Sequence, residues 1–130
     1  MTLAEIVKRM DLEVLAGAGA LDRSVTLAYS GDMLSDVLAH ARSGELWITI
    51  QVHLNVIPVA VMKELAGILL PNGRRPDPEV LRKAEEEGMP ILATPLGTYE
   101  AACRLYELGL KPRPAARLPP RPPPANLPLP

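Results

Sequence analysis

A chain of 130 residues and 14.0 kDa, 48% hydrophobic and 22% charged, is one domain's worth of sequence and too apolar to be a charged disordered chain. It holds no apolar run near the roughly 20 residues that span a bilayer, no basic or apolar stretch of a secretory leader at its start, and one cysteine, Cys103, which can build neither an internal disulfide nor a zinc site. All fifteen acidic residues fall within 1–110 against ten Lys and Arg, whereas Lys111, Arg113, Arg117 and Arg121 stand in 111–130 without an acid, so a body of −5 precedes a tail of +4.

Thr2 with Glu5 three residues on is a capping-box pattern, and it precedes Leu3, Ile6, Val7 and Met10 at helical spacing. Glu13–Ala16 is short enough to be a strand, Gly17–Ala20 reads as a flexible connection, and the alternating, β-forming Ser24–Tyr29 reads as a second strand. A βα rhythm follows. Asp32–Ala41 puts Met33, Leu34, Val37, Leu38 and Ala41 on one helical face, and Leu46–Ile50 is apolar enough to be buried on both sides. Asn55 stands before a helix over Val56–Ala66 with Pro58 in its first turn, Gly67 reads as its stop, and Ile68–Leu70 as the next strand. Asp77-Pro78 opens another helix that Gly88 ends, Pro90–Ala93 is a strand, and Tyr99, Ala102, Cys103 and Tyr106 mark one face of a last helix. Short apolar strands alternating with helices of about 10–12 residues predict a single α/β domain with a mainly parallel sheet covered by helices.

In such a sheet, ligands bind beyond the carboxyl ends of the strands. The four strand-end loops supply Ser30 and Asp32, then Gln51, His53 and Asn55, then Asn72, Arg74 and Arg75, then Thr94. Arginines and helix N-termini favour anions, so a small phosphate- or carboxylate-bearing ligand is the expected occupant. Each residue also has a plainer explanation. Asp32, Asn55, Asp77 and Thr98 stand where helix caps belong, His53 can brace its own loop, Asn72-Gly73 is a turn signal, and Arg74-Arg75 can be a solvated surface pair. Trp47 and Cys103 read most simply as core.

Catalytic patterns are absent from the sequence. It has no phosphate-binding P-loop, no dinucleotide fingerprint, no nucleophile elbow, and no metal-ligand spacing around His40 or His53. The expectation is no catalytic residue, no metal and no cofactor. An acidic body with no Phe, one Trp and three Tyr is also a poor nucleic-acid platform. A reduced, cytoplasmic setting is expected, without a membrane or nucleic-acid partner.

Several segments form a recognisable set in order and spacing: Leu21-Asp22-Arg23-Ser24-Val25-Thr26, Ser35-Asp36-Val37-Leu38, Gly44 to His53, Leu65 to Pro76, and Ala84 to Leu92. Over residues 1–110 the chain resembles the DRTGG-domain family, and residues 111–130, a Pro-rich basic tail expected to be disordered, lie outside the resemblance. Asp22-Arg23 stand, but the family's Gly-Gly pair is replaced by Leu27-Ala28, which removes the close backbone approach that glycines permit. The resemblance implies an α/β fold similar to the N-terminal domain of HPr kinase/phosphorylase. It also implies a dimerising, ligand-sensing regulatory module rather than a catalyst, and the chain has neither the P-loop nor the length for kinase activity. A protein-interaction adaptor in a redox/hydrogenase or carbon-metabolism signalling system is the alternative. There the Arg117-x-x-Pro120-x-x-Pro123 spacing suits polyproline-II recognition, although a Pro-rich extension without a binding role explains it as well. An enzyme using His53 with Arg74 and Arg75 on a phosphorylated substrate is the third reading.

Overall fold

The computed structural model describes residues 1–113 and 120–125. Five helices and five strands follow one another: α1 (Leu3–Met10), β1 (Glu13–Ala16), β2 (Ala28–Ser30), α2 (Leu34–His40), β3 (Leu46–Ile48), α3 (Val56–Met62), β4 (Gly67–Leu70), α4 (Pro78–Glu87), β5 (Ile91–Ala93) and α5 (Thr98–Glu107). The single sheet has the order β1-β5-β4-β3-β2, with every pair parallel except β1 with β5. This is the expected mainly parallel sheet.

Side chains alternate across the strands, and both faces are covered. On one face Trp47, Ile68, Leu70 and Ile91 meet Val37 of α2, Ile57 and Ala60 of α3, and Val80 and Ala84 of α4. On the other face Leu46, Ile48, Leu69 and Leu92 meet Leu3 and Ile6 of α1 and Ala101 and Leu105 of α5. The three crossover helices between parallel strands therefore share one face, while the chain leaving β5 crosses to the other. Among adjacent strands the connections part only at β4 and β5, so the switch point of this sheet lies between the carboxyl ends of those two.

The capping box at Thr2 and Glu5 is present, and Gly88 ends α4 in the left-handed region at φ 65°. Other expected boundaries differ. Helix α3 stops at Met62, and Glu64 takes the left-handed conformation at φ 54° while the Leu65 N–H reaches back to the Ala60 carbonyl at 3.0 Å. Gly67 instead begins β4, where a Cβ would stand 3.2 Å from Leu3 Cδ2 and 3.3 Å from the Pro90 carbonyl. The helix ends early because Leu65 and Ala66 are needed in the core.

The expected strand over Ser24–Tyr29 is broken into pieces. Ser24 bridges Thr2, Val25 donates to the Met1 carbonyl and Thr26 to the Gly44 carbonyl, and only Ala28–Ser30 runs beside β3. Gly17–Ala20 is no loose connection either. Ala18–Ala20 is a 3₁₀ turn, and a Cβ on Gly17 would lie 2.6 Å from the Pro90 backbone. In α5 the buried stripe is Ala101 and Leu105, and Tyr99 is 82% exposed. Tyr106 is half exposed and lines an open groove with Ala28 and Ile48, while Ala101 and Leu105 pack on the sheet.

Candidate functional site

The nine candidate residues separate into two groups. Ser30 is the last residue of β2, and Asp32, Gln51, His53 and Asn55 follow β2 and β3, two strands whose connections run to the same face. Asp32 is not the cap of α2; the cap position belongs to Met33. The Asp32 carboxylate instead accepts from the Thr49 hydroxyl at 3.0 Å and from the Ile50 N–H at 3.0 Å. Gln51 donates through Nε2 to the Asp32 carbonyl at 3.1 Å, and Trp47 donates through its indole to the Gly31 carbonyl at 2.8 Å. These bonds tie the β2 and β3 exits to each other. His53 braces its own turn, accepting at Nδ1 from the Asn55 N–H at 3.2 Å. Asn55 and Asp77 occupy the cap positions of α3 and α4 without a side-chain bond, and Gly97 rather than Thr98 caps α5.

Asn72, Arg74, Arg75 and Thr94 follow β4 and β5, at the switch point. Asn72 at φ 58° and Gly73 at φ 66° form the tight turn that this dipeptide signals, closed by Arg74 N–H to the Pro71 carbonyl at 3.2 Å. The turn is tied to the β5 exit by Asn72 N–H to Leu96 O and Gly73 N–H to Thr94 O, both 2.8 Å. Thr94 is buried, and its hydroxyl accepts from the Leu96 N–H at 3.2 Å, just as buried Thr49 accepts from Gln51 at the β3 exit. An open groove of about 260 Å³ lies beside this turn, lined by Asp11, Glu13, Gly73, Arg75, Ala93, Thr94 and Pro95. Arg75 crosses it to pair with Glu13 of β1. The hydrogen bond and charge of Arg75 hold the Glu13 carboxyl below the ordinary carboxylate range, and Glu13 in turn raises Arg75. Arg74 is exposed and makes no side-chain hydrogen bond or ion pair among the described residues.

His53 therefore belongs to one group and the two arginines to the other, and no contact between them assembles an acid, a base and an anion clamp. Two polar residues had no part in the expected site. Arg23 sits at the amino ends of the strands and donates to the Leu65 carbonyl at 3.2 Å and the Gly88 carbonyl at 2.8 Å, so it ties the turn before β4 to the residue that ends α4. Glu45, 2% exposed, accepts from the Arg42 N–H at 2.5 Å and from Arg113. The Asp22-Arg23 pair was visible in the sequence, but nothing near Glu45 announced its burial. Among the described residues no helix is long and apolar enough to cross a membrane, and no group of three His, Cys, Asp or Glu could hold a metal ion.

These elements define an open-sheet α/β domain covered by helices on both faces. The chain belongs to the DRTGG domain family, which it matches over residues 5–108. A similar solved structure is that of the CBS and DRTGG domains of the regulatory region of Clostridium perfringens pyrophosphatase, complexed with its activator, diadenosine tetraphosphate. The two are 14% identical at a TM-score of 0.61, over 80% of this chain and 45% of that one, so this chain spans less than half of that structure's length. No curated protein sequence matches the chain.

Proposed function

We propose that this chain is a non-catalytic, cytoplasmic regulatory module that works as a homodimer and senses a small phosphate-bearing anion in the groove between β4, β5 and β1. The observation that carries the ligand is the position of Arg75 in the groove at the switch point of the sheet, with Arg74 next to it in the chain. Guanidinium groups match phosphate oxygens in charge and geometry. Thr94 supports this site from the scaffold, since its hydroxyl already serves the Leu96 N–H. The family and the activator-bound regulatory region of the pyrophosphatase favour a sensing role over a catalytic one. Ser30, Asp32, Gln51, His53 and Asn55 lie at the β2 and β3 exits and belong to the ligand only if it is long enough to reach past β4.

Glu13 gives the reading a mechanism. An anion in the groove competes with Glu13 for Arg75, so binding would free the edge strand β1 from its ion pair. A thermal-shift panel of nucleotides and acyl phosphates tests this. A stabilising compound is expected, since a ligand specific for the native state raises apparent stability. Arg75→Ala should abolish the shift and Glu13→Gln should enlarge it, while His53→Ala leaves it unchanged. No stabilisation by any compound removes the ligand, and a sedimentation mass of one chain at all concentrations removes the dimer.

The adaptor reading rests on a different surface. A groove of about 490 Å³ between α3 and α4 is lined mainly by apolar side chains, with Met62 72% exposed at its edge. A partner captured by the wild type and lost on Met62→Glu would favour it. Residues 117–119 of the polyproline-type motif lie outside the described residues.

A further inference from the structure

We infer that the anion proposed for the groove at Arg75 is an amine-bearing phosphate that enters by exchanging ion-pair partners. Its phosphate takes Arg75 from Glu13, and its ammonium takes the place of Arg75 on Glu13 and Asp11. This ligand class rests on the anion site proposed for that groove. The groove has few donors for a phosphate. At the β4 exit the Asn72, Gly73 and Arg74 N–H groups already go to the carbonyls of Leu96, Thr94 and Pro71. At the β5 exit the Leu96 N–H goes to the Thr94 hydroxyl. The Asn72–Arg74 turn therefore has no N–H left to cradle a chain of phosphates. The side-chain donors that line the groove are the Arg75 guanidinium and the Thr94 O–H, whose oxygen has accepted from Leu96 and whose proton is left to give. Arg74, the next cation in the chain, is not among the lining residues. One guanidinium and one hydroxyl match a single phosphate group.

The same groove has more negative charge than positive. Asp11 and Glu13 line it from the β1 side, two carboxylates against the one guanidinium of Arg75. Among the described residues the exposed Asp11 carboxylate makes no hydrogen bond or ion pair, and the Glu13 carboxylate has Arg75 alone. Both positions are fixed by the backbone. Asp11 is the left-handed C-cap of α1 at φ 53°, its N–H held by the Lys8 and Val7 carbonyls, and Glu13 pairs with Ala93 in the sheet. A ligand with negative charge alone takes Arg75 away and leaves two carboxylates facing a phosphate, a like-charge arrangement that opposes binding. A ligand that also brings an ammonium keeps each charge in the groove beside one of the other sign. The ammonium has three donors, enough to serve both carboxylates at once.

Isothermal titration of the full chain at low salt compares 2-aminoethyl phosphate with ethyl phosphate, which lacks only the amine, and with tripolyphosphate. Aminoethyl phosphate should bind about fivefold tighter than ethyl phosphate, the scale of an exposed ion pair, and tighter than tripolyphosphate. Arg75→Ala should abolish both alkyl phosphates. Glu13→Gln should strengthen ethyl phosphate, because the amide no longer competes for Arg75, and should bring the two alkyl phosphates to within about twofold of each other. Asp11→Asn should also lower the preference, and asparagine accepts the left-handed conformation, so the turn is kept. Equal binding of the two alkyl phosphates by the wild type, a preference that survives both carboxylate variants, or tighter binding of tripolyphosphate overturns the amine and leaves the anion site standing. Binding of neither alkyl phosphate overturns the amine as well, and the thermal-shift panel of nucleotides and acyl phosphates then tells whether the anion site falls with it.

Discussion

Tyr29 shows how one side chain in this protein records its surroundings. Its hydroxyl donates to the Asp36 carboxylate at 2.8 Å, and Asp36 also meets His40 at 3.1 Å. Burial first, then the hydrogen bond and charge of Asp36, push the phenol from its ordinary 10.0 up to about 12. The sign of the consequence is fixed. The folded state keeps a proton that the unfolded state has released, so this contribution to stability is complete below pH 10 and is lost as pH rises toward 12. Tyr29→Phe cannot make that contribution. It should be about 1 kcal/mol less stable than the wild type at pH 7, the worth of one exposed hydrogen bond, and the gap should close as pH rises above 10. Urea melts of both proteins across the range, followed by the fluorescence of the buried Trp47, check this. A gap that stays constant with pH would mean that Tyr29 titrates alike in both states.

Among the elements, the end of α3 separates what sequence can and cannot locate. The existence and type of the helix, of β4 and of α4 were all legible, because apolar spacing and the Asp77-Pro78 and Gly88 signals are local. The boundary was not. Gly67 looks like a stop, yet its lack of a side chain serves the close approach of Leu3 and Pro90, which are distant in sequence. The left-handed residue is Glu64, and no local rule prefers Glu there. The site divides in the same way. That Arg74, Arg75 and Thr94 follow strands was readable, but the groove that Arg75 and Thr94 share depends on which face α4 and α5 cover, a property of the whole sheet. Glu64→Gly therefore should stabilise the domain by about 0.5–1 kcal/mol, since relief of the left-handed strain exceeds the added freedom of the unfolded chain. Gly67→Ala should destabilise it. Thermal melts of the two variants should move in opposite directions, and a shift of the same sign in both would contradict the assignment of the cap.

At the scale of the whole molecule, the family match ends at residue 108, but the structure's bonding does not. Leu110 is buried among α1 and α5, and Arg113 holds the buried Glu45. The body thus draws on the first residues of the basic, Pro-rich segment, and the charge division between body and tail has one cation on the wrong side of it. A chain ending at Arg113 should match the full chain in stability. A chain ending at Leu110 should lose about 2–4 kcal/mol, because removing one member of a buried pair leaves the other charge uncompensated, and Arg113 is itself partly exposed. Adding Glu45→Gln to the shorter chain should recover most of that loss, since a neutral amide can keep the Arg42 N–H as donor without needing a cation. Calorimetry on the three chains reads all of this. If the chains ending at Leu110 and Arg113 melt together, the pair contributes nothing to the fold; if the shorter chain is weaker but Glu45→Gln does not rescue it, the loss comes from packing of Lys111 and Pro112 rather than from the buried charge.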